Sequence, residues 1–289
     1  MKTITLMLSL SGLLLTTFTA MADSETFTGR TAWEISRKST CGTLETGVTR
    51  YGIFEGRAYS RVPGERDRHI FNVLGVNTRQ CAKFEDPDRG EGFRSVSREV
   101  MLYLDPETGK VMDTWQNPWT GATVEVVHVA NDPVNMRAPR YEKDTGAITM
   151  KHYGNLLAVS NEVPLFYDNP LGGDFQRYVG GTYHAMEIFD DFYLADELLD
   201  SSRRLERSWM AWVRVAQWLP WMEMGSKPGL MVVNATGSSV FDRNEIPELL
   251  RKVLEERYPT YFEPPPLDDP RPNETSWTVF RKHLEEQAP

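Results

Sequence analysis

Between Arg98 and Asp132 the chain reads REVMLYLDPETGKVMDTWQNPWTGATVEVVHVAND, and no other stretch restricts its fold so much. Two segments, Asp105-Pro106-Glu107-Thr108-Gly109 and Asn117-Pro118-Trp119-Thr120-Gly121, interrupt runs in which apolar residues alternate. Proline presets a turn and glycine accepts positive φ, so each segment closes a hairpin and the whole is a three-stranded meander. If Leu104 pairs with Lys110 and Gln116 with Ala122, one face carries Val100, Leu102, Met112, Thr114, Val124, Val126 and His128. The other carries Glu99, Met101, Tyr103, Val111, Asp113, Trp115, Thr123, Glu125 and Val127. The first is a hydrocarbon wall; the second, aromatic and acidic, faces solvent or a ligand. A one-residue slip would exchange the two sets.

Short strands continue on both sides. Thr49–Ser60 and Arg68–Asn77 flank the turn residues Val62-Pro63-Gly64-Glu65, and Phe84–Phe93 reads as a surface loop. Asn131-Asp132-Pro133 ends the meander, since proline cannot donate to a ladder. Further strands are expected at 148–153, 156–164, 207–215 and 230–234, with a turn at Thr236-Gly237-Ser238; Tyr178–Tyr193 is strand or helix. Helical patterning is confined to Thr31–Lys38 and to the C-terminal region 242–287. There Asp242 or Asn244 can cap a helix to Tyr258, and Ser276 one carrying Trp277, Phe280, His283 and Leu284. The expected fold is mainly β: an antiparallel barrel or strongly bent sheet, calycin-like, with C-terminal helices.

The first 22 residues hold Lys2, an apolar run from Ile4 to Phe18 and Ala20-Met21-Ala22, the pattern of a secretory signal peptide; the alternative is a membrane anchor. Residues 23–289 then form one domain, with no transmembrane span after cleavage. Removing one lysine moves the formal charge from −9 to −10, and no basic run accompanies it, so nucleic acid is not an expected partner. An exported chain meets an oxidising compartment, where Cys41 and Cys81 form a disulfide or remain two buried thiols.

Six phrases are similar to the domain of unknown function 1838 family. They are Ser97-Arg98-Glu99, Tyr103–Gly109, Asn117–Gly121, Asn131-Asp132-Pro133-Val134-Asn135, Trp218–Gly225 and Asn273–Thr278. One departure is Ala216-Gln217, where a Gly-Pro-like pair would be expected. The resemblance implies kinship across nearly the whole mature chain. It supplies no reaction and no catalytic residues.

No GxSxG elbow, HExxH, P-loop or GxGxxG occurs, and the 5 histidines are scattered singly, so neither metal nor cofactor is expected. In the register above Asp113 and Glu125 are cross-strand neighbours, and two close carboxylates favour protonation of one, which suits general acid/base work. The alternative is that both face water. His128 is a third catalytic candidate, or a core histidine satisfied by a backbone carbonyl. Trp209, Trp212, Trp218 and Trp221, half of the 8 tryptophans, fall in one short stretch. Trp209 and Trp212 lie on opposite strand faces, so a large ring is placed beyond an ordinary core. The proline-interrupted Trp218–Met224 segment suits an apolar lid. The first reading is therefore an exported protein enclosing a small hydrophobic or aromatic molecule, with Tyr103, Trp115, Trp209, Trp212, Trp218 and Trp221 lining the site. Arg98 and Glu99 supply its polar contacts. The rivals are a cofactor-independent isomerase, lyase or hydrolase using Asp113, Glu125 or His128, and an envelope interaction module.

Overall fold

The computed structural model describes residues 23–134, 138–178 and 181–287; the signal-peptide reading falls outside them. The elements in chain order are β1 (Ser24–Phe27), α1 (Gly29–Cys41), β2 (Arg50–Arg61), β3 (Arg68–Asp86), β4 (Gly90–Leu104), β5 (Thr114–Gln116), β6 (Thr123–Glu125), β7 (Val129–Val134) and β8 (Arg140–Tyr141). They continue with β9 (Ile148–Tyr153), β10 (Leu156–Tyr167), β11 (Tyr183–Leu194), α2 (Ala195–Leu198), β12 (Ser208–Ala216), β13 (Leu230–Val240), α3 (Glu248–Arg257) and α4 (Ser276–Gln287).

Eleven strands make one antiparallel sheet in the order β1-β9-β10-β11-β12-β13-β2-β3-β4-β7, with β8 added beside β4. Among the described residues the sheet does not close: β1 and β7 end the strand order. It nevertheless bends strongly. β4 and β11 stand five strand spacings apart, about 24 Å in a flat sheet. Even so, Met101 and Tyr103 of β4 share one buried cluster with Tyr183 and Ala185 of β11 and Trp212 of β12. Small residues permit the bend. A Cβ on Gly75 would stand 2.3 Å from the Phe54 ring, and one on Gly237 2.4 Å from the Ile53 carbonyl, so β3 and β13 press against β2 where side chains would hold them off.

Helices cover selected parts of this surface. On the convex side Leu250, Val253 and Leu254 of α3 bury Leu74, Val76, Val100 and Leu102. At one end of the concave side α1 bridges the two arms. Its Trp33 packs with Cys41, Cys81 and Phe93, while Ala32 and Ile35 pack with Met150, Leu157 and Tyr193. Cys41 and Cys81 are disulfide-bonded there, tying α1 to β3. At the other end α4 puts Trp277 edge-on to Tyr183, 4.6 Å between ring centres.

The meander is displaced by one residue from the expected register. Asp105 Oδ1 accepts from the backbone N–H groups of Glu107 (3.1 Å) and Thr108 (2.7 Å), and Asn117 Oδ1 likewise from Trp119 (2.9 Å) and Thr120 (3.1 Å). These side-chain turns make Asp105 and Asn117 the last paired residues, bonded through their N–H groups to Lys110 and Ala122, instead of the first loop residues. Gln116 therefore pairs with Thr123, Trp115 with Val124 and Thr114 with Glu125. β5 and β6 leave the main sheet as a separate hairpin, and Met112, Val124 and Val126 join the Tyr103 cluster instead of the wall under α3. Three further expectations shift. The 84–93 loop shrinks to a turn between β3 and β4, β13 runs on through Gly237, and β7 continues through Pro133 because it is an edge strand with no ladder to donate to on that side.

Candidate functional site

The concave face follows directly from the register. On β4 it takes the odd residues Ser97, Glu99, Met101 and Tyr103; their partners on β3 include Arg79, Asn77 and Val73. Across β2 and β13 the same face is floored by Gly52, Gly56, Gly237 and Ser239, with Phe54 as its one large ring. On β12 it takes Ser208, Met210, Trp212 and Arg214, opposite Tyr193, Asp191, Phe189 and Glu187 of β11. The result is a trough whose middle is polar and whose walls carry rings. Trp212 stacks on Phe189 (6.1 Å, 11° between planes) and meets Phe54 edge-on (5.7 Å).

Two charged groups of this trough are tied together. Arg214 Nη1 lies 3.0 Å from Glu187 Oε1, and Nη2 donates to Tyr183 Oη at 2.7 Å. Burial opposes the Arg214 charge, but Tyr183 and Glu187 outweigh it and the guanidinium is held more firmly protonated than usual. The pair is not sealed off, with side-chain exposures of 22% and 17%. Glu99 sits on the other arm and accepts from Asn77 Nδ2 at 3.3 Å; Asn77 in turn accepts from Arg79 Nε at 3.2 Å. Burial first, and then the charge of Glu187, push the Glu99 carboxyl above the ordinary carboxylate range against Asn77, Arg79 and Arg214. Asp191 accepts from Asn161 Nδ2 at 3.4 Å. Burial raises it to about 6, against Arg79, Asn161 and Arg50. Nearer α1, Arg50 donates to Ser208 Oγ at 2.6 Å and is brought down to about 10 by burial. A carboxyl made harder to ionise by burial, on the same face as a carboxylate paired with arginine, is the kind of arrangement found where protons are handled.

Among the residues singled out from sequence, Glu99, Tyr103 and Trp212 belong to this face, the two rings buried in it at 1% and 7% exposure. Trp115, Trp218 and Trp221 do not line the open trough; they fill its end. Trp221 is 3% exposed, with ring centres of Tyr103, Trp115 and Phe71 at 5.2, 5.8 and 6.0 Å. Trp218 is also buried, against Trp119, and Asn117 Nδ2 fastens the segment by donating to the Met222 carbonyl at 3.0 Å. The Trp218–Met224 stretch is thus packed as a plug. Trp209 faces outward, 38% exposed.

Arg98 points away from Glu99, as neighbours on a strand must. It bonds Asp132 at 2.8 Å and the carbonyls of Thr260 and Glu263 at 2.8 and 2.9 Å, so it staples the C-terminal region to the convex side. The one-residue shift also separates Asp113 from Glu125. Asp113 is exposed and paired with Arg257 (3.2 Å), whereas Glu125 lies near His283 (3.5 Å). His128 is a core residue: Nδ1 accepts the Tyr103 N–H at 3.1 Å, the ring stacks on Tyr103, and Nε2 is buried without a hydrogen bond. Burial, aided by Arg257, lowers its pKa to about 4 against Asp113 and the Met112 carbonyl.

Sequence reasoning missed Asn77, Arg79, Glu187 and Asp191. The signal available was charge interleaved with aromatics on one strand face, as in Glu187-x-Phe189-x-Asp191 and Trp212-x-Arg214. Among the described residues no three of His, Cys, Asp and Glu gather where a metal could be held, and no helix is long and apolar enough to cross a membrane.

Comparison with known proteins places residues 48–284 in one family, described as a protein of unknown function (DUF1838), and the chain belongs to it. Among curated proteins no match is found.

Proposed function

We propose that this member of a family without an assigned reaction binds a small molecule in the trough, using its bent sheet in a calycin-like way. The occupant has a flat hydrophobic or aromatic body and an oxygen-bearing polar group. One observation carries the reading: the stacked Phe189 and Trp212 rings stand in register beside the partly exposed Glu187–Arg214 pair, whose guanidinium also donates to the buried Tyr183 hydroxyl. A folded core has no need of an ion pair in its middle, since desolvating two charges costs more than burying apolar residues of the same size. Small-molecule sites, in contrast, combine apolar walls with a few placed polar groups.

The test is titration of the intact mature chain with aromatic ketones, acids and phenols, following tryptophan emission and the unfolding midpoint together. A ligand at a hundredfold excess over Kd stabilises by about 2.7 kcal/mol. The Trp212→Phe variant should lose most of the emission response while keeping the fold. If no compound moves either signal, the binding reading is refuted.

Export belongs to the same proposal. Residues 1–22 read as a cleaved signal, and the Cys41–Cys81 bridge fits an oxidising compartment. Intact mass of the protein recovered from the cell envelope should begin at Asp23; a retained N-terminus would indicate an anchor.

A further inference from the structure

The Glu187–Arg214 pair has hydrogen-bond donors to spare and no net charge. A guanidinium carries five N–H groups. In Arg214 one points to Glu187 Oε1 (3.0 Å) and one to Tyr183 Oη (2.7 Å), and the rest hold no bond among the described residues. Both side chains of the pair keep some surface open, 22% for Arg214 and 17% for Glu187. Two positions back on the same face of β12, Trp212 is buried and its Nε1–H meets no acceptor. This wall of the trough is short of acceptors, which a ligand oxygen can supply.

The surrounding charge decides what kind of oxygen that is. In the partly open stretch floored by Gly52 and Gly237, the same face presents carboxyl groups at Glu99, Glu187 and Asp191 and guanidinium groups at Arg79 and Arg214. Arg50 is 4% exposed and donates to Ser208 at the α1 end. No cation is in surplus there. A carboxylate brought to Arg214 meets a guanidinium whose charge Glu187 already offsets at 3.0 Å, and it approaches the Glu187 carboxylate as well. It gives up its hydration for a neutral pair. An uncharged carbonyl oxygen loses far less hydration and accepts the same N–H groups.

We propose that Glu187 sets the ligand class of the trough, admitting uncharged aromatic carbonyl compounds such as ketones and amides and turning away the corresponding carboxylates. This rests on the trough being the ligand site. The ring of the ligand lies along Phe189, which stays partly exposed beside Trp212, and its oxygen accepts from Arg214. Glu187 selects in two ways: it offsets the Arg214 charge, and it repels a second carboxylate.

The probes are near-isosteres that differ in one group: methyl 2-naphthyl ketone, 2-naphthamide and 2-naphthoate, the last ionised at pH 7.5. Equilibrium dialysis against the intact mature chain gives their dissociation constants. The parent should hold the ketone and the amide within about fivefold of each other, and 2-naphthoate about tenfold or more weaker. Glu187→Gln keeps an acceptor for Arg214 Nη1 and removes the charge. In that variant the preference for the ketone over 2-naphthoate should shrink by about tenfold or more. A loosened fold weakens all the probes together and leaves their ratios alone, so the ratio reports the charge. If the parent binds 2-naphthoate as tightly as the ketone, the inference is overturned and ligand binding stands. An unchanged ratio in Glu187→Gln has the same consequence. No binding of any probe at about 1 mM overturns the binding reading for aromatic carbonyl compounds, and this inference with it. Should the variant fail to fold, the parent's ratio between 2-naphthamide and 2-naphthoate decides: equal affinities refute the selection.

Discussion

Asp191 and His128 are displaced from their ordinary pKa values in ways that make opposite contributions to stability as pH changes. Asp191 is raised from 3.8 to about 6 in the folded chain. The native state therefore holds its proton more tightly than the unfolded chain, so this contribution is fully present below 3.8 and is lost as pH rises through about 6. His128 is lowered from 6.5 to about 4. The unfolded chain takes up that proton first, so its contribution is present above 6.5 and is lost as pH falls through about 4. Each shift of roughly two units corresponds to about 3 kcal/mol, nearer 2 for Asp191 because its side chain keeps some contact with solvent. Between pH 4 and 6 the two slopes largely cancel in the parent, and single variants uncover them. Urea unfolding from pH 3.5 to 7.5 gives the difference curves. The stability of the parent minus that of Asp191→Asn should fall by about 2 kcal/mol from pH 4 to 6. The parent minus His128→Gln should rise by about 3 kcal/mol from pH 4 to 6.5, on top of a constant offset for the Tyr103 N–H that loses its acceptor. Flat difference curves would refute the claim that burial sets these two protonation states.

Trp221→Ala should cost about 3–5 kcal/mol of unfolding free energy, because the ring is enclosed by Phe71, Tyr103 and Trp115; a loss under 1 kcal/mol with weakened ligand binding would make the segment a lid after all. Replacing both Cys41 and Cys81 by serine opens a loop with a sequence separation of 40 residues and should cost about 3–4 kcal/mol, whereas unchanged unfolding with and without reductant would refute the bridge. Arg98→Met removes a charge-assisted bond to Asp132 and two bonds to carbonyls. It should lower stability by about 2–3 kcal/mol and speed proteolysis around 260–272; unaltered proteolysis would count against its role as a staple.

The sequence made the sheet and the terminal helices legible because their signals are local. Alternation in Arg207–Val215 put Trp209 and Trp212 on opposite faces, and the register of β12 does so. Ser276 to Glu286 repeats apolar residues at helical spacing, and α4 spans Ser276–Gln287. What misled was a side-chain effect on turn length. Asp105 and Asn117 each use one carboxyl or amide oxygen to cap the following N–H groups, which moves the paired register by one residue and parts Asp113 from Glu125. The trough was illegible for a different reason. Glu99 and Glu187 belong to strands whose approach depends on how far the sheet curls, and Gly75 and Gly237 permit that curl by leaving no side chain to hold their strands off β2. Local patterning reports which face a residue shares with its neighbours two positions away; it carries no information on which distant strand that face will meet. The charges of β3, β4, β11 and β12 read separately as solvated strand faces, and only the bend turns them into one site.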